Sequence, residues 1–250
     1  MKQFLCECKK TKGRLLTVLL PVTGIVSLWL LWIAHDPSDD MRPVGYTYMA
    51  TSMLLLNSIF LSATAAVMAS RLMDMENKGN TFKLLCTLQK KSGIFSCKLL
   101  LAVLHLLLFF IAETVIVYGI GQFAGFTEVF PVRSYLRLQG TGFLTATLLF
   151  ILQMFFSLWL ENQLYPLFIG LVGSFIGLFS MFFPAGSLPM YFCPWCYFTL
   201  GGCSIMVWDE ATRTTSFVPV DFDVFGFCLL LAALFLSWYA VRRYFLRKEV

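Results

Sequence analysis

Apolar residues fall in long runs separated by short polar stretches, at about 15–34, 47–70, 94–121, 140–160, 164–183 and 223–241. Each run is about 20 residues or longer, enough for a helix to cross a hydrocarbon core of roughly 30 Å. The pattern predicts an all-α integral membrane protein, a single domain over residues 1–250 with six transmembrane helices. The third run is long enough to hold a break or re-entrant piece near Gly119 and Gly121. The first follows a basic start, as a signal peptide would. Its apolar stretch is too long for that role, and no small-x-small cleavage site precedes His35 and Asp36, so it reads as a retained helix.

Composition agrees with this picture. Hydrophobic residues make up 58% and charged residues 13% of the chain, against about 25% charged in soluble domains. The net charge of +5 is unevenly placed: fifteen of the nineteen basic residues lie before the first run, between the second and third, or after the last. The other side holds Arg42, Arg133, Arg137 and Arg213 beside eight acids, among them Asp36, Asp39 and Asp40. The positive-inside rule makes the basic side cytoplasmic, with both ends inside. The charge is thus a topological signal, and nucleic acid need not be invoked.

The polar segment 73–92, between the second and third runs, carries the most information. Asn80 or Thr81 can cap a short helix there. Phe82, Leu85, Leu88 and Gln89 share one face at helical spacing, while Lys83, Lys90 and Lys91 lie around the rest. This is a short basic amphipathic helix, which on its own would also suit an interface of anionic headgroups. No Gly-x-x-x-x-Gly-Lys-Ser/Thr phosphate loop occurs in the sequence. Gly119-x-Gly121 is not a dinucleotide fingerprint either, because Ala124 stands where the third glycine would be.

Glu76, Gly79, Leu84, Leu85 and Lys98 give this segment the order acid, glycine, leucines, base, and here the chain resembles the permeases of type-2 ABC exporters. The usual proline or small hydroxyl residue after the leucines is represented by Ser92 alone. Within that superfamily the chain is similar to the lantibiotic-immunity permeases, the paired E and G subunits. The similarity lies in its length, its spans, the Glu-Asn-Lys-Gly-Asn-Thr-Phe loop, and Pro194-Trp195-Cys196-Tyr197 in the outer loop. The resemblance implies a coupling helix, with Glu76, Gly79, Phe82, Leu84, Leu85 and Leu88 docking on a separate ATPase dimer. That ATPase would carry the ATP and Mg, and this chain would bind no cofactor and perform no covalent chemistry. A second homologous permease, or a second copy, would complete the exporter in the bacterial cell membrane. The implied substrate is a lantibiotic or similar antimicrobial peptide, expelled from the membrane lipid. A lipophilic drug, a lipid or a polysaccharide is the alternative cargo, and a membrane thiol-redox enzyme the alternative class.

Other residues invite sharper readings. Glu113 lies deep in the third run, where a carboxylate must be paired or wetted. With His105 on the same helix it suits either a translocation path or a structural bond to a neighbouring polar residue such as Gln153. Two histidines without a supporting cluster give no metal site. Cys193-Pro-Trp-Cys196 has redox spacing but lacks a βαβ context. A redox pair, a structural disulfide and unpaired loop thiols are the alternatives. Pro184, Pro189 and Pro194 break any helix in the outer loop 184–221. Its aromatics, Trp195 and Tyr197 among them, suit a lid that contacts substrate or a membrane-interface belt. Gly170, Gly173 and Gly177, and likewise Ser62, Ala65, Ala66 and Ala69, form small-residue stripes for close helix packing.

Overall fold

A computed structural model describes residues 2–11, 13–35, 41–77, 89–160, 162–183, 187–210 and 214–247. The chain opens with a short helix, α1 (Lys2–Thr11), followed by α2 (Leu16–Ala34), α3 (Gly45–Asn77), α4 (Lys91–Phe123), α5 (Val132–Trp159) and α6 (Leu164–Phe179). Next come α7 (Leu188–Phe192), a 3-10 helix (Pro194–Gly201), a hairpin of β1 (Ser204–Asp209) and β2 (Thr214–Pro219), and α8 (Val224–Arg247). Among the described residues, α2 to α6 and α8 are the six helices long and apolar enough to cross a membrane.

Hydrocarbon is no worse a solvent for leucine than a protein interior, so polarity sorts these helices more than hydrophobicity does. α3 and α5 are the most buried and form the centre, while α2 and α8 are exposed along most of their length. Asn57, Ser58, Ser62 and Thr64 of α3 are buried, as are Thr141, Thr145, Gln153 and Ser157 of α5. The hydroxyls of Thr141, Thr145 and Thr147 each donate to the carbonyl four residues back, at 2.7–2.8 Å, and so satisfy themselves within α5. Leu20, Leu28 and Trp32 of α2 and Phe235 and Leu236 of α8 face outward. The two small-residue stripes meet: a Cβ added at Gly170 would collide with the methyl of Ala66.

Local signals explain the ends of several helices. Gly13 takes φ +78° in the turn between α1 and α2, where the amide of Arg14 donates to Thr11 O. Gly125 takes φ +71° after α4, with Phe126 N–H on Gly121 O at 3.1 Å and Gly125 N–H on Gln122 O at 3.4 Å, a Schellman stop. At the start of α3 the Glu128 carboxylate accepts the Thr47 amide at 3.0 Å and the Thr47 hydroxyl at 2.6 Å.

Three expectations change. α4 is continuous through Gly119 and Gly121 to Phe123, with no re-entrant piece, because Gly121 lets the Tyr46 ring pack against the helix backbone. α3 runs on to Asn77, and α5 begins at Val132. The outer loop, read as broken by prolines, folds into α7, the 3-10 helix and the hairpin, whose register pairs Ser204 with Pro219 and Asp209 with Thr214.

Candidate functional site

The site begins where α3 ends and α4 starts, because the segment between them is the one that the sequence marks for coupling. Gly79, Phe82, Leu84, Leu85 and Leu88 lie outside the described residues. Glu76 lies in the last turn of α3, and its side chain is likewise outside them.

What frames this segment is well defined. α1 lies across the start of α4, so close at Gly93 that a Cβ there would strike the Gln3 side chain. Phe4 and Cys8 of α1 pack on the main core, and Glu7 and Thr11 are buried. The Glu7 carboxylate reaches Lys10 Nζ through Oε1 at 3.3 Å and Lys98 Nζ through Oε2 at 3.4 Å. Lys98 is fully buried on α4, and its ammonium also donates to Leu72 O of α3 at 2.9 Å. One buried cation therefore joins α1, α3 and α4. Arg71, on the same turn of α3, donates to Arg14 O at 3.3 Å and Thr17 Oγ1 at 3.0 Å. Phe95 of α4 stacks obliquely on Phe245 of α8, with ring centroids 5.6 Å apart. The two helices that flank residues 78–88 are thus tied to each other and to both outlying helices at one end of the bundle. Sequence reasoning missed Glu7. Its signal was the spacing of Phe4, Glu7, Cys8 and Thr11, one helical face within a basic stretch.

Deeper in the bundle, Glu113 is buried and accepts Asn57 Nδ2 through Oε2 at 3.1 Å. Glu113 Oε1, Asn57 Oδ1 and both polar atoms of Gln139 are buried with no hydrogen-bond partner among the described residues. α3 and α4 are thus joined by the Asn57–Glu113 pair, and α3, α4 and α5 each carry buried polar atoms that are incompletely satisfied. The structure does not bring His105 to Glu113: that residue is two turns away, about 12 Å along the axis, and its Nδ1 pairs with Leu101 O at 2.7 Å. Gln153 is not the partner of Glu113. It is buried against α6, where its amide, oriented to satisfy both groups, bridges Pro166 O at 2.9 Å and Gly170 N at 3.2 Å.

At the opposite end, the 3-10 helix wedges between the long helices. Trp195 lies on the bare backbone of Gly173, and its carbonyl would sit 3.0 Å from a Cβ at Gly177. Tyr197 is 4% exposed, and its hydroxyl donates to Tyr191 O at 2.6 Å. Tyr197 is thus enclosed, whereas Trp195 is half-buried with its ring against α6. Arg137 of α5 staples this region through donations to Leu200 O (3.3 Å), Val220 O (2.8 Å) and Asp221 O (3.0 Å), with its guanidinium over the Phe222 ring. A cavity of about 610 Å³ opens beside it, lined by Arg133, Arg137, Cys203 and Phe222 among others. No group of three or more His, Cys, Asp or Glu placed to hold a metal ion occurs among the described residues.

The family model described as "ABC-2 family transporter protein" matches residues 4–177, from α1 through α6. No curated protein and no solved structure matches the chain.

Proposed function

The chain belongs to the ABC-2 family of transporter proteins, and from that premise we propose that it is one permease of an exporter that expels a lantibiotic or similar antimicrobial peptide from the membrane. Its family makes it a multi-pass membrane transport subunit that is not itself catalytic and works with a separate ABC ATPase. The alternative of a membrane thiol-redox enzyme is thereby set aside as the chain's main activity.

The observation that carries the mechanism is the buried Glu7–Lys98–Leu72 junction. Residues 73–92 receive the ATPase as a coupling element, with Glu76, Gly79, Phe82, Leu84, Leu85 and Leu88 at the contact. The junction makes the end of α3, the start of α4 and the whole of α1 respond as one body, so closure of the ATPase dimer reaches the bundle as a push on three helices. ATP and Mg stay on the partner. The basic end of the bundle faces the cytoplasm. The Asn57–Glu113 pair, with polar atoms left unsatisfied, lines the path or its gate. It holds polar groups that a peptide amide or ammonium can satisfy, and unpaired buried polar groups are costly unless used. The peptide assignment is supported by the likeness of the Glu76–Phe82 loop and the 194–197 stretch to immunity permeases.

The test is affinity capture of the tagged chain from solubilised membranes, joined to a measurement of peptide tolerance in cells that carry the whole exporter. Recovery of an ATPase and a second six-span chain, together with loss of tolerance on deletion, supports the proposal. Unchanged tolerance to lantibiotics with altered export of a lipid, a polysaccharide or a drug overturns the cargo.

A further inference from the structure

The transport reading leaves the thiols of the wedge unused. Cys193 immediately precedes the 3-10 helix, and its carbonyl accepts the Cys196 amide at 3.0 Å. A turn closed in this way holds its first and fourth Cα atoms less than about 7 Å apart, and a disulfide bridges Cα atoms roughly 4.4–6.8 Å apart. The two thiols differ in access, since Cys196 is fully buried and Cys193 is half-buried. They also differ in acidity. A hydrogen bond from the Cys196 thiol, helped by the Trp195 and Cys196 amides, brings Cys193 down to about 6 against the upward push of burial. The same contact, with burial, holds the Cys196 thiol far above the ordinary range. This is the asymmetry of an attacking and a resolving thiol. Cys203 is engaged elsewhere, donating to Ser134 O and Gly201 O at 3.4 Å each.

We propose that Cys193 and Cys196 form an exchangeable dithiol–disulfide pair, oxidised by a low-molecular-weight disulfide, and that closing the bond locks the Trp195 wedge against α6. The Cys193 thiolate attacks one sulfur of the incoming disulfide, forms a mixed disulfide and releases one thiolate. Cys196 gives its proton to that departing thiolate and displaces the second, which closes the Cys193–Cys196 bond. Two electrons pass from the protein to the oxidant, and the released thiols, once protonated, are its reduced product. The new ring takes in the backbone of Pro194 and Trp195 and stiffens the turn that holds the indole on Gly173.

The full chain in detergent is equilibrated across a series of reduced-to-oxidised glutathione ratios, quenched in acid, alkylated, digested and weighed. The expected result is a peptide spanning 193–196 that loses two hydrogens and both alkylation sites together as the buffer becomes oxidising. Cys196→Ala retains a single glutathione on Cys193. In the reduced wild type, alkylation of Cys193 rises through about pH 6, below the ordinary thiol midpoint near 8.5. The oxidised protein melts above the reduced one, and the difference vanishes in the Cys193→Ser, Cys196→Ser double variant. Full alkylation of both thiols at the most oxidising ratio, or a bridge to Cys203, overturns the pair. Equal melting of both redox states overturns the lock.

Discussion

Lys98 places an ammonium where no solvent reaches it, and among the described residues an ion pair with the Glu7 carboxylate at 3.4 Å and a hydrogen bond to the Leu72 carbonyl at 2.9 Å compensate. Removing one member of a buried pair strands the other, at a cost of about 3–5 kcal/mol, whereas replacing both by apolar groups is often close to neutral. Lys98→Met is therefore expected to lower the melting midpoint in detergent sharply, and adding Glu7→Leu to recover most of that loss. If the junction also transmits the stroke, the double variant stays folded but transports poorly, which a parallel transport assay reads. Gly173 is constrained by shape alone. Gly173→Leu drives a side chain into the Trp195 indole, and overpacking of this kind costs about 1–3 kcal/mol. Faster proteolysis within 187–210 would check it. Glu113 was legible as a residue needing a partner, because an intramembrane carboxylate always does. That the partner is Asn57 and not Gln153 depends on which helices are neighbours, and one chain's periodicity does not state that.

Among the elements, α3 and α4 carry the consequence that matters for coupling. Charge reversal at Glu76 (Glu76→Lys) is expected to abolish transport while membrane insertion and the melting midpoint stay near wild type. Unaltered transport would count against a docking role for residues 73–92. α1 was hidden from a reading by apolar runs because at ten residues it is too short to span a membrane, and its useful pattern is the one face through Phe4, Glu7, Cys8 and Thr11. The outer loop misled for a different reason. Proline does interrupt long helices, yet Pro189 and Pro194 sit in the first turns of α7 and the 3-10 helix, where a missing amide costs nothing. The hairpin had a signal in Ile205–Trp208 and Ser216–Val218, β-branched and aromatic runs around a polar turn, which a search for spans passes over.

At the scale of the molecule, the topology is open to direct test. With native cysteines replaced, a reagent confined to the outside is expected to label Asp40→Cys and not Lys90→Cys; the reverse would invert the orientation. The sequence by itself determined that the chain is helical, that six helices are apolar enough to cross, and where its basic residues concentrate. Those properties are local sums over about twenty residues and need no partner segment. The tertiary structure decided how α1 closes over Gly93, which residue satisfies Glu113, how the glycine stripe of α6 receives Ala66 and Trp195, and that Cys193 and Cys196 share one turn with unequal access. Each of these is a contact between residues far apart in the chain, or a burial set by neighbours. In a bundle whose outward faces and interior are both apolar, hydrophobicity alone cannot choose among them. Shape and the pairing of a few buried polar groups make that choice.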